Sequence, residues 1–206
     1  MKTFKTFILA VLAGISISIG GMVFLSCESK VVGAIFFTIG LFTVCTFGFN
    51  LFTGKVCYAF SNKPLYILDL LIIWLGNFAG CILCGFLIRC TRLAPSLIEK
   101  ASSICETKLS GNIISTIILG LFCNICIYIA VDGFRNNSHE IGKYLALLFG
   151  VVVFILAGFE HCVANMFYFS VAGIYSGEML LFIVINTIGN AIGGLLIPGF
   201  KKIIKE

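Results

Sequence analysis

The sequence predicts an all-α membrane protein, in which six transmembrane helices form two inverted repeats of three helices. Three observations predict this fold class: an apolar composition, six long apolar runs and an internal repeat. Of the 206 residues, 60% are hydrophobic and 11% are charged, and the mean hydropathy is +1.12. Globular proteins are about a quarter charged, which excludes an ordinary soluble domain. The 14 Lys and Arg residues are spread along the chain, so nucleic acid is not expected as a partner.

Six apolar runs are long enough to cross a bilayer, because about 20 residues span the hydrocarbon core. They cover residues 4–25, 31–49, 65–88, 109–131, 144–169 and 179–200. The first run is long and further spans follow at once, which disfavours a cleaved leader. An even number of spans places both termini on one side of the membrane. That side would carry Lys2, Lys5, Lys63, Arg135, Lys143, Lys201, Lys202 and Lys205, and the other side Lys30, Arg89, Arg92, Lys100 and Lys108. This excess predicts cytoplasmic termini in the cell membrane.

The two halves of the chain contain related segments in the same order. The motif Gly-Asn-Phe-Ala-Gly at 76–80 matches Gly-Asn-Ala-Ile-Gly at 189–193, and segment 48–54 matches segment 158–164. A unit of three crossings inserts its second copy upside down, so these matches indicate an inverted repeat. We predict one transmembrane channel domain over 1–206, with repeat one at about 1–100 and repeat two at about 101–206. Such repeats are typical of channels and transporters.

The second and fifth runs each break into polar residues, at 50–55 and at 158–165. Irregular backbone at membrane depth is tolerated only where it is buried in protein or lines a cavity. Helices 2 and 5 are therefore predicted to be interrupted at the substrate pathway. For 50–55, an ordinary loop at the end of a span is the alternative.

Two histidines have different surroundings in the sequence. His161 lies inside the fifth run beside Glu160, and ionisable residues at such depth are usually functional. Imidazole can also exchange a proton near neutral pH. A histidine that only bonds to a neighbouring carbonyl is the alternative, and a structural role is favoured for Glu160. His139 lies in a polar loop, where we expect it to be solvated.

Ten cysteines raise the question of a metal site. The doublets Cys81–Cys84 and Cys123–Cys126 have the spacing of metal ligands. Both lie inside apolar runs, without polar neighbours to orient a ligand, so we predict neither a metal nor a cofactor. Three alternatives stay open: a neutral small-solute pore, a structural membrane subunit, and a membrane redox or metal enzyme that uses the Cys pairs and His161.

Several segments together resemble the formate/nitrite transporter family. They are Asn-Leu-Phe-Thr-Gly at 50–54, Gly-Phe-Glu-His-Cys-Val-Ala-Asn-Met-Phe at 158–167 and Gly-Asn-Ala-Ile-Gly-Gly at 189–194, with Gly-Asn at 76–77 and Gly-Leu-Phe-Cys-Asn at 120–124. The resemblance implies an aquaporin-like fold, a homopentamer in membrane lipid with one pore per protomer, and no enzymatic activity. It further implies the passage of small monovalent anions, such as formate, nitrite or hydrosulfide, or of their acids.

By position, the resemblance also implies the residues of the pathway. His161 would be the pore histidine, facing Thr53 on the loop that interrupts helix 2. Apolar constrictions are implied at Phe37, Leu41, Phe52 and Phe154, an aliphatic pore position at Ile127, a polar one at Asn124 and a cationic one at Lys108. The family commonly has an acidic residue where Asn50 stands, so that charge is absent here. The loop before Lys108 is also short.

These residues predict a mechanism of pH-dependent passage. A bare charge is costly in an apolar constriction, whereas a neutral acid crosses more easily. Lys108 would concentrate the anion at the mouth, and His161, oriented by Thr53, would donate a proton and recover it after transit. The expected partners are therefore a small monovalent anion and protons.

Overall fold

A computed structural model describes residues 2–205, which form nine α-helices and one 3₁₀ turn and include no strand. In chain order the helices are α1 (Lys2–Ser26), α2 (Lys30–Phe47), α3 (Phe52–Val56), α4 (Tyr66–Arg89), α5 (Ala94–Leu109), α6 (Ile113–Asn136), α7 (Glu140–Ala157), α8 (Cys162–Ala172) and α9 (Gly177–Lys205). The 3₁₀ turn covers Ala59–Ser61, between α3 and α4.

Within residues 2–205, six helices are long and apolar enough to cross a membrane: α1, α2, α4, α6, α7 and α9. The shortest of them have 18 residues, and 18 residues extend about 27 Å, close to the thickness of the hydrocarbon core. The predicted all-helical membrane fold with six spans is confirmed. The chain is a multi-pass membrane protein.

The fifth apolar run, 144–169, differs from a single continuous helix. Helix α7 ends at Ala157 because Gly158 adopts the left-handed conformation, with φ of 75°. Helix α8 then begins at Cys162. The second run ends in the same way, since Gly48 has φ of 70° and follows the last residue of α2. Both helix ends lie beside the polar segments 50–55 and 158–165 of the two runs.

The charged stretch before Lys108 is helical, although the sequence was interpreted as a loop there. In α5 the buried residues recur every three or four positions, at Ala94, Leu97, Ala101 and Cys105. This spacing buries one face of a helix and leaves the charges on the other. Helix α5 packs on α8. Leu109, the predicted start of the fourth span, ends α5, and α6 begins at Ile113 after the Asn112 cap.

The helices of the two halves pack in a matched pattern. Helix α1 packs on α2 and α4, and α6 packs on α7 and α9. The repeated glycines lie where α4 and α9 approach their partners most closely. A Cβ atom on Gly80 would collide with the carbonyl of Val11, and one on Gly193 with that of Leu121. The two halves thus share one packing pattern, and the division into two repeats stays a prediction.

Candidate functional site

A buried amide stabilises the break between α2 and α3. Asn77, in the middle of α4, accepts a hydrogen bond from the Phe52 amide at 2.8 Å. Its Nδ2 group donates to the carbonyls of Ala10 and Asn50, at 2.8 and 2.9 Å. One side chain thus satisfies backbone groups that cannot pair within a helix, and unpaired groups at membrane depth are costly.

The break between α7 and α8 has the same arrangement in the second half. Asn190, on α9, accepts from the Cys162 amide at 2.9 Å. It donates to the carbonyls of Gly120 and Glu160, at 2.8 and 2.7 Å. Each contact corresponds to one made by Asn77, so the same pattern of hydrogen bonds stabilises both breaks.

Glu160 lies at the second break and is surrounded by polar side chains. Its carboxylate forms an ion pair with Lys108 at 2.5 Å, and the two side chains are 9% and 14% exposed. Asn165 donates to the same carboxylate oxygen at 2.7 Å, and it also donates to Asn186. Asn186 donates to the Glu160 carbonyl at 2.8 Å. A buried carboxylate is tolerated when it is paired and hydrogen-bonded in this way.

The ion pair borders an open cavity of about 500 Å³ near the start of α6. Lys30, Lys108, Glu160 and Thr116 contribute polar groups to its lining. With two ammonium groups and one carboxylate, the cavity carries an excess of positive charge, which favours the accumulation of small anions.

The next residue, His161, joins the two halves of the chain. Its Nε2 lies 3.0 Å from Thr53 Oγ1, which belongs to α3. Its Nδ1 accepts a hydrogen bond from the Ala164 amide at 3.1 Å and so caps α8. An accepting nitrogen carries no proton, which assigns a neutral imidazole with its proton on Nε2. His161 therefore donates to Thr53, and both residues are buried, at 2% and 0% exposure.

Aromatic rings enclose one side of His161. The Phe154 ring stacks on the imidazole, with centroids 5.6 Å apart. Phe37 meets Phe154 edge to face at 6.1 Å. The remaining apolar residues of the predicted pathway, Leu41, Phe52 and Ile127, are buried in the same core. Apolar side chains thus surround the histidine on this side.

Asn124 lies beside Thr53 and leaves one acceptor unused. Its Nδ2 group donates to the Thr53 carbonyl at 3.1 Å. Among the described residues, no donor reaches its Oδ1 atom, although the residue is fully buried. An unpaired buried acceptor costs about 1–3 kcal/mol, and a passing O–H donor would satisfy it.

The structure brings most of the predicted residues together and separates one from the rest. Thr53, His161, Phe154, Phe37 and Asn124 form a chain of direct contacts. Lys108 instead contacts Glu160 at the cavity.

The described cysteines are free thiols. Cys81 is fully buried, and its Sγ donates to the Val163 carbonyl at 3.4 Å. Burial raises the pKa of Cys105, on α5, to about 12, so this thiol is protonated and unreactive at neutral pH. Within the described residues, no group of three or more His, Cys, Asp and Glu side chains has the arrangement of a metal site.

The pattern of a known protein family matches almost the whole chain. The family described as formate/nitrite transporter matches residues 1–203. The chain belongs to the formate/nitrite transporter family.

Two curated relatives and one solved structure illustrate the similarity within the formate/nitrite transporter family. The uncharacterized transporter YrhG of Bacillus subtilis is 30% identical over 186 residues, which cover 83% of this chain and 70% of YrhG. The formate channel FocB of Escherichia coli is 26% identical over 184 residues, which cover 79% of this chain and 64% of FocB. The chain thus spans about two thirds of the length of these relatives. A pentameric formate channel with formate bound has a TM-score of 0.86 at 25% identity, covering 99% of this chain and 97% of that one.

This membership identifies a transmembrane channel or transporter and confirms that the chain is not an enzyme, since the family consists of channels and transporters. Sequence reasoning missed Asn186 and the partners of Asn165. The asparagine side chains within the apolar runs indicate such contacts, because polar side chains at membrane depth need partners. The partners themselves come from other helices and could not be assigned from the sequence.

Proposed function

We propose that the chain passes small monovalent anions, such as formate, nitrite or hydrosulfide, or their weak acids, through a pore centred on His161. The observation that carries the proposal is the buried contact between His161 and Thr53. It joins the two broken segments at 3.0 Å within an apolar core. Relatives described as formate channels and the neighbouring structure with formate bound support this class of substrate.

Passage depends on the free energy that is needed to move a charge from water into the apolar core. An unpaired ion in such surroundings costs many kcal/mol, whereas a neutral acid costs far less. The Nε2–H group of His161, which donates to Thr53 Oγ1, can turn to an arriving anion. Asn124 donates through Nδ2 to the Thr53 carbonyl, and its free Oδ1 can accept from an acid O–H or S–H. The pathway therefore favours the protonated cargo beside His161 and Asn124.

Transfer of a proton requires a change at His161. The neutral ring carries its one proton on Nε2, and a second proton must add at Nδ1. That nitrogen accepts from the Ala164 amide, so protonation breaks the cap of α8, which contributes about 1 kcal/mol. The resulting imidazolium can give its Nε2 proton to an anion, and the cap is restored once Nδ1 releases its proton and Nε2 takes one up. Flux is thus expected to rise as the pH falls.

The proposal also covers the oligomeric state of the protein and its orientation in the membrane. The neighbouring structure is pentameric, and we infer a homopentamer with one pore in each protomer. The distribution of cations supports a location in the cell membrane with both termini in the cytoplasm.

Flux measurements in proteoliposomes test the role of His161. Formate, nitrite and hydrosulfide are compared across a range of pH with the wild-type protein and with His161→Asn, whose amide can still cap α8. We expect the variant to lose the pH dependence while remaining folded. His161→Phe, which also removes the cap, should lose it as well. The matched control His139→Asn changes an exposed histidine and should leave the profile unaltered. An unchanged pH response in His161→Asn would remove this residue from the mechanism.

A further inference from the structure

A second polar cavity lies at the far end of the molecule from the Lys108 cavity. It has a volume of about 470 Å³ and lies between the ends of α6 and α9 and the segment that follows α3. The Lys108 cavity touches Ser115 near the start of α6, and the second cavity touches Asn136 at its end. These positions are about 30 Å apart along a helix, so the two cavities face opposite sides of the membrane. We name the second one the α6–α9 pocket.

One of the two lysines of the α6–α9 pocket is oriented by hydrogen bonds. The ammonium group of Lys201 donates to Tyr128 Oη at 2.9 Å and to Asp132 Oδ2 at 3.4 Å. Asn136 donates to the other oxygen of Asp132 at 2.8 Å. The carboxylate is thus engaged by its neighbours, and it orients the ammonium group. Lys202 lines the same pocket and is exposed, so the pocket keeps an excess of one positive charge.

The remaining groups of the pocket are suited to an ester of phosphate. Tyr58, Tyr128 and Ser61 also line the pocket with hydroxyl groups. Tyr128 Oη accepts from Lys201 and keeps its own proton to donate, whereas Tyr58 Oη donates to Asp132 Oδ1 at 3.5 Å. Ammonium and hydroxyl groups both donate to phosphate oxygens. The pocket is far larger than an anion of three or four atoms requires. It also lies on the side of the membrane with the larger share of cations, where basic pockets between helices bind anionic lipid headgroups.

An apolar side chain distinguishes a lipid from a soluble phosphate. Phe60 lines the pocket and is 53% exposed. Phe200, the residue before Lys201 on α9, is 59% exposed. An exposed aromatic ring beside a basic pocket gives an acyl chain a surface to lie on. A soluble phosphate ester would gain nothing from it.

We propose that the α6–α9 pocket binds the headgroup of an anionic phospholipid, through Lys201, Lys202 and the tyrosine hydroxyls, with an acyl chain along Phe60. The residues assigned to the pathway do not line this pocket, although Cys57 in its wall contacts Thr53 and Asn124. The proposal is independent of the anion that the pore passes. Each lysine near an anionic membrane surface strengthens binding by about fivefold.

Native mass spectrometry of the purified, detergent-solubilised protein tests this proposal. The protein is titrated with dioleoylphosphatidylglycerol and, separately, with the uncharged dioleoylphosphatidylcholine. We expect a preference for the anionic lipid, and a loss of about 25-fold in its affinity in Lys201→Gln/Lys202→Gln. Lys201→Arg/Lys202→Arg should bind the anionic lipid as the wild type does, because it keeps both positive charges. Phosphatidylcholine binding should be the same in all variants, which also verifies that they are folded.

Two controls decide the site and the source of the phosphate. Lys143→Gln removes a cation on the same side of the membrane, where Lys143 pairs with Glu140 at 2.6 Å, and should leave the affinity unchanged. Glycerol 1-phosphate has the headgroup chemistry without acyl chains and should compete only weakly. Equal losses in Lys143→Gln and in the double glutamine variant would indicate general surface electrostatics and overturn the proposal. Full competition by glycerol 1-phosphate would overturn it in favour of a soluble ligand, and unchanged affinity in the double variant would exclude the pocket.

Discussion

Removal of Lys108 should destabilise the protein through the charge that it leaves on Glu160. The two side chains are 14% and 9% exposed and lie 2.5 Å apart, and loss of one partner of a buried pair costs about 3–5 kcal/mol. Asn165 still donates to the carboxylate, and the adjoining cavity admits water. We therefore expect the lower end of that range, about 3 kcal/mol, for Lys108→Met.

A double-mutant cycle separates the pair from its surroundings. Glu160→Gln leaves the flexible Lys108 free to reach water in the cavity, so its cost should be about 1 kcal/mol. The double variant Lys108→Met/Glu160→Gln contains no unpaired charge and keeps an acceptor for Asn165. Its cost should be about 2 kcal/mol, which gives a coupling of about 2 kcal/mol between the two side chains.

Equilibrium unfolding in mixed micelles, followed by circular dichroism, measures the change in the free energy of unfolding of each of the three variants relative to the wild type. Lys143→Met is the matched control, since Lys143 pairs with Glu140 at the surface and exposed pairs contribute about 0–1 kcal/mol. A Lys108–Glu160 coupling below about 0.5 kcal/mol would place this pair among the exposed ones and refute the reasoning.

Two further predictions concern the centre of the pathway and its breaks. Thr53→Val leaves the Nε2–H group of His161 without its acceptor and should cost about 2–3 kcal/mol. Thr53→Ser keeps the hydroxyl group and should cost about 1 kcal/mol for the lost methyl group. Equal costs in the same unfolding assay would show that the hydroxyl is not the partner. Gly158→Ala should cost about 1–2 kcal/mol from its positive φ alone, since no atom lies within 4 Å of the added Cβ. Gly193→Ala should be the more destabilising of the two, because its Cβ would meet the backbone of Leu121. The reverse order in thermal unfolding would contradict the packing described for α6 and α9.

The sequence predicted the number of spans because transfer to lipid depends on composition, which a sequence states directly. It also located His161, since an ionisable residue within an apolar run is conspicuous. The protonation of His161 could not be predicted in this way. It depends on the Ala164 amide, and that amide becomes a donor to Nδ1 only because α8 begins at Cys162.

Other features depend on contacts between distant segments. The amphipathic pattern of α5 was present in the sequence, but its four charged residues between 94 and 109 favoured a loop. The α6–α9 pocket joins Tyr58, Asp132 and Lys201 from three parts of the chain. No local pattern connects them, because their proximity follows from the packing of α6 on α9.

The two halves show how a single buried histidine is placed in a symmetric framework. Asn77 and Asn190 hold equivalent backbone groups, so the residue between the held groups is Leu51 in the first half and His161 in the second. Both are buried, at 1% and 2% exposure. A second imidazole at position 51 would need its own buried partner, and Val163, the counterpart of Thr53, offers no hydroxyl. The framework therefore repeats its backbone support in both halves but supplies polar partners for a single histidine, with Thr53 from the first half serving His161 of the second.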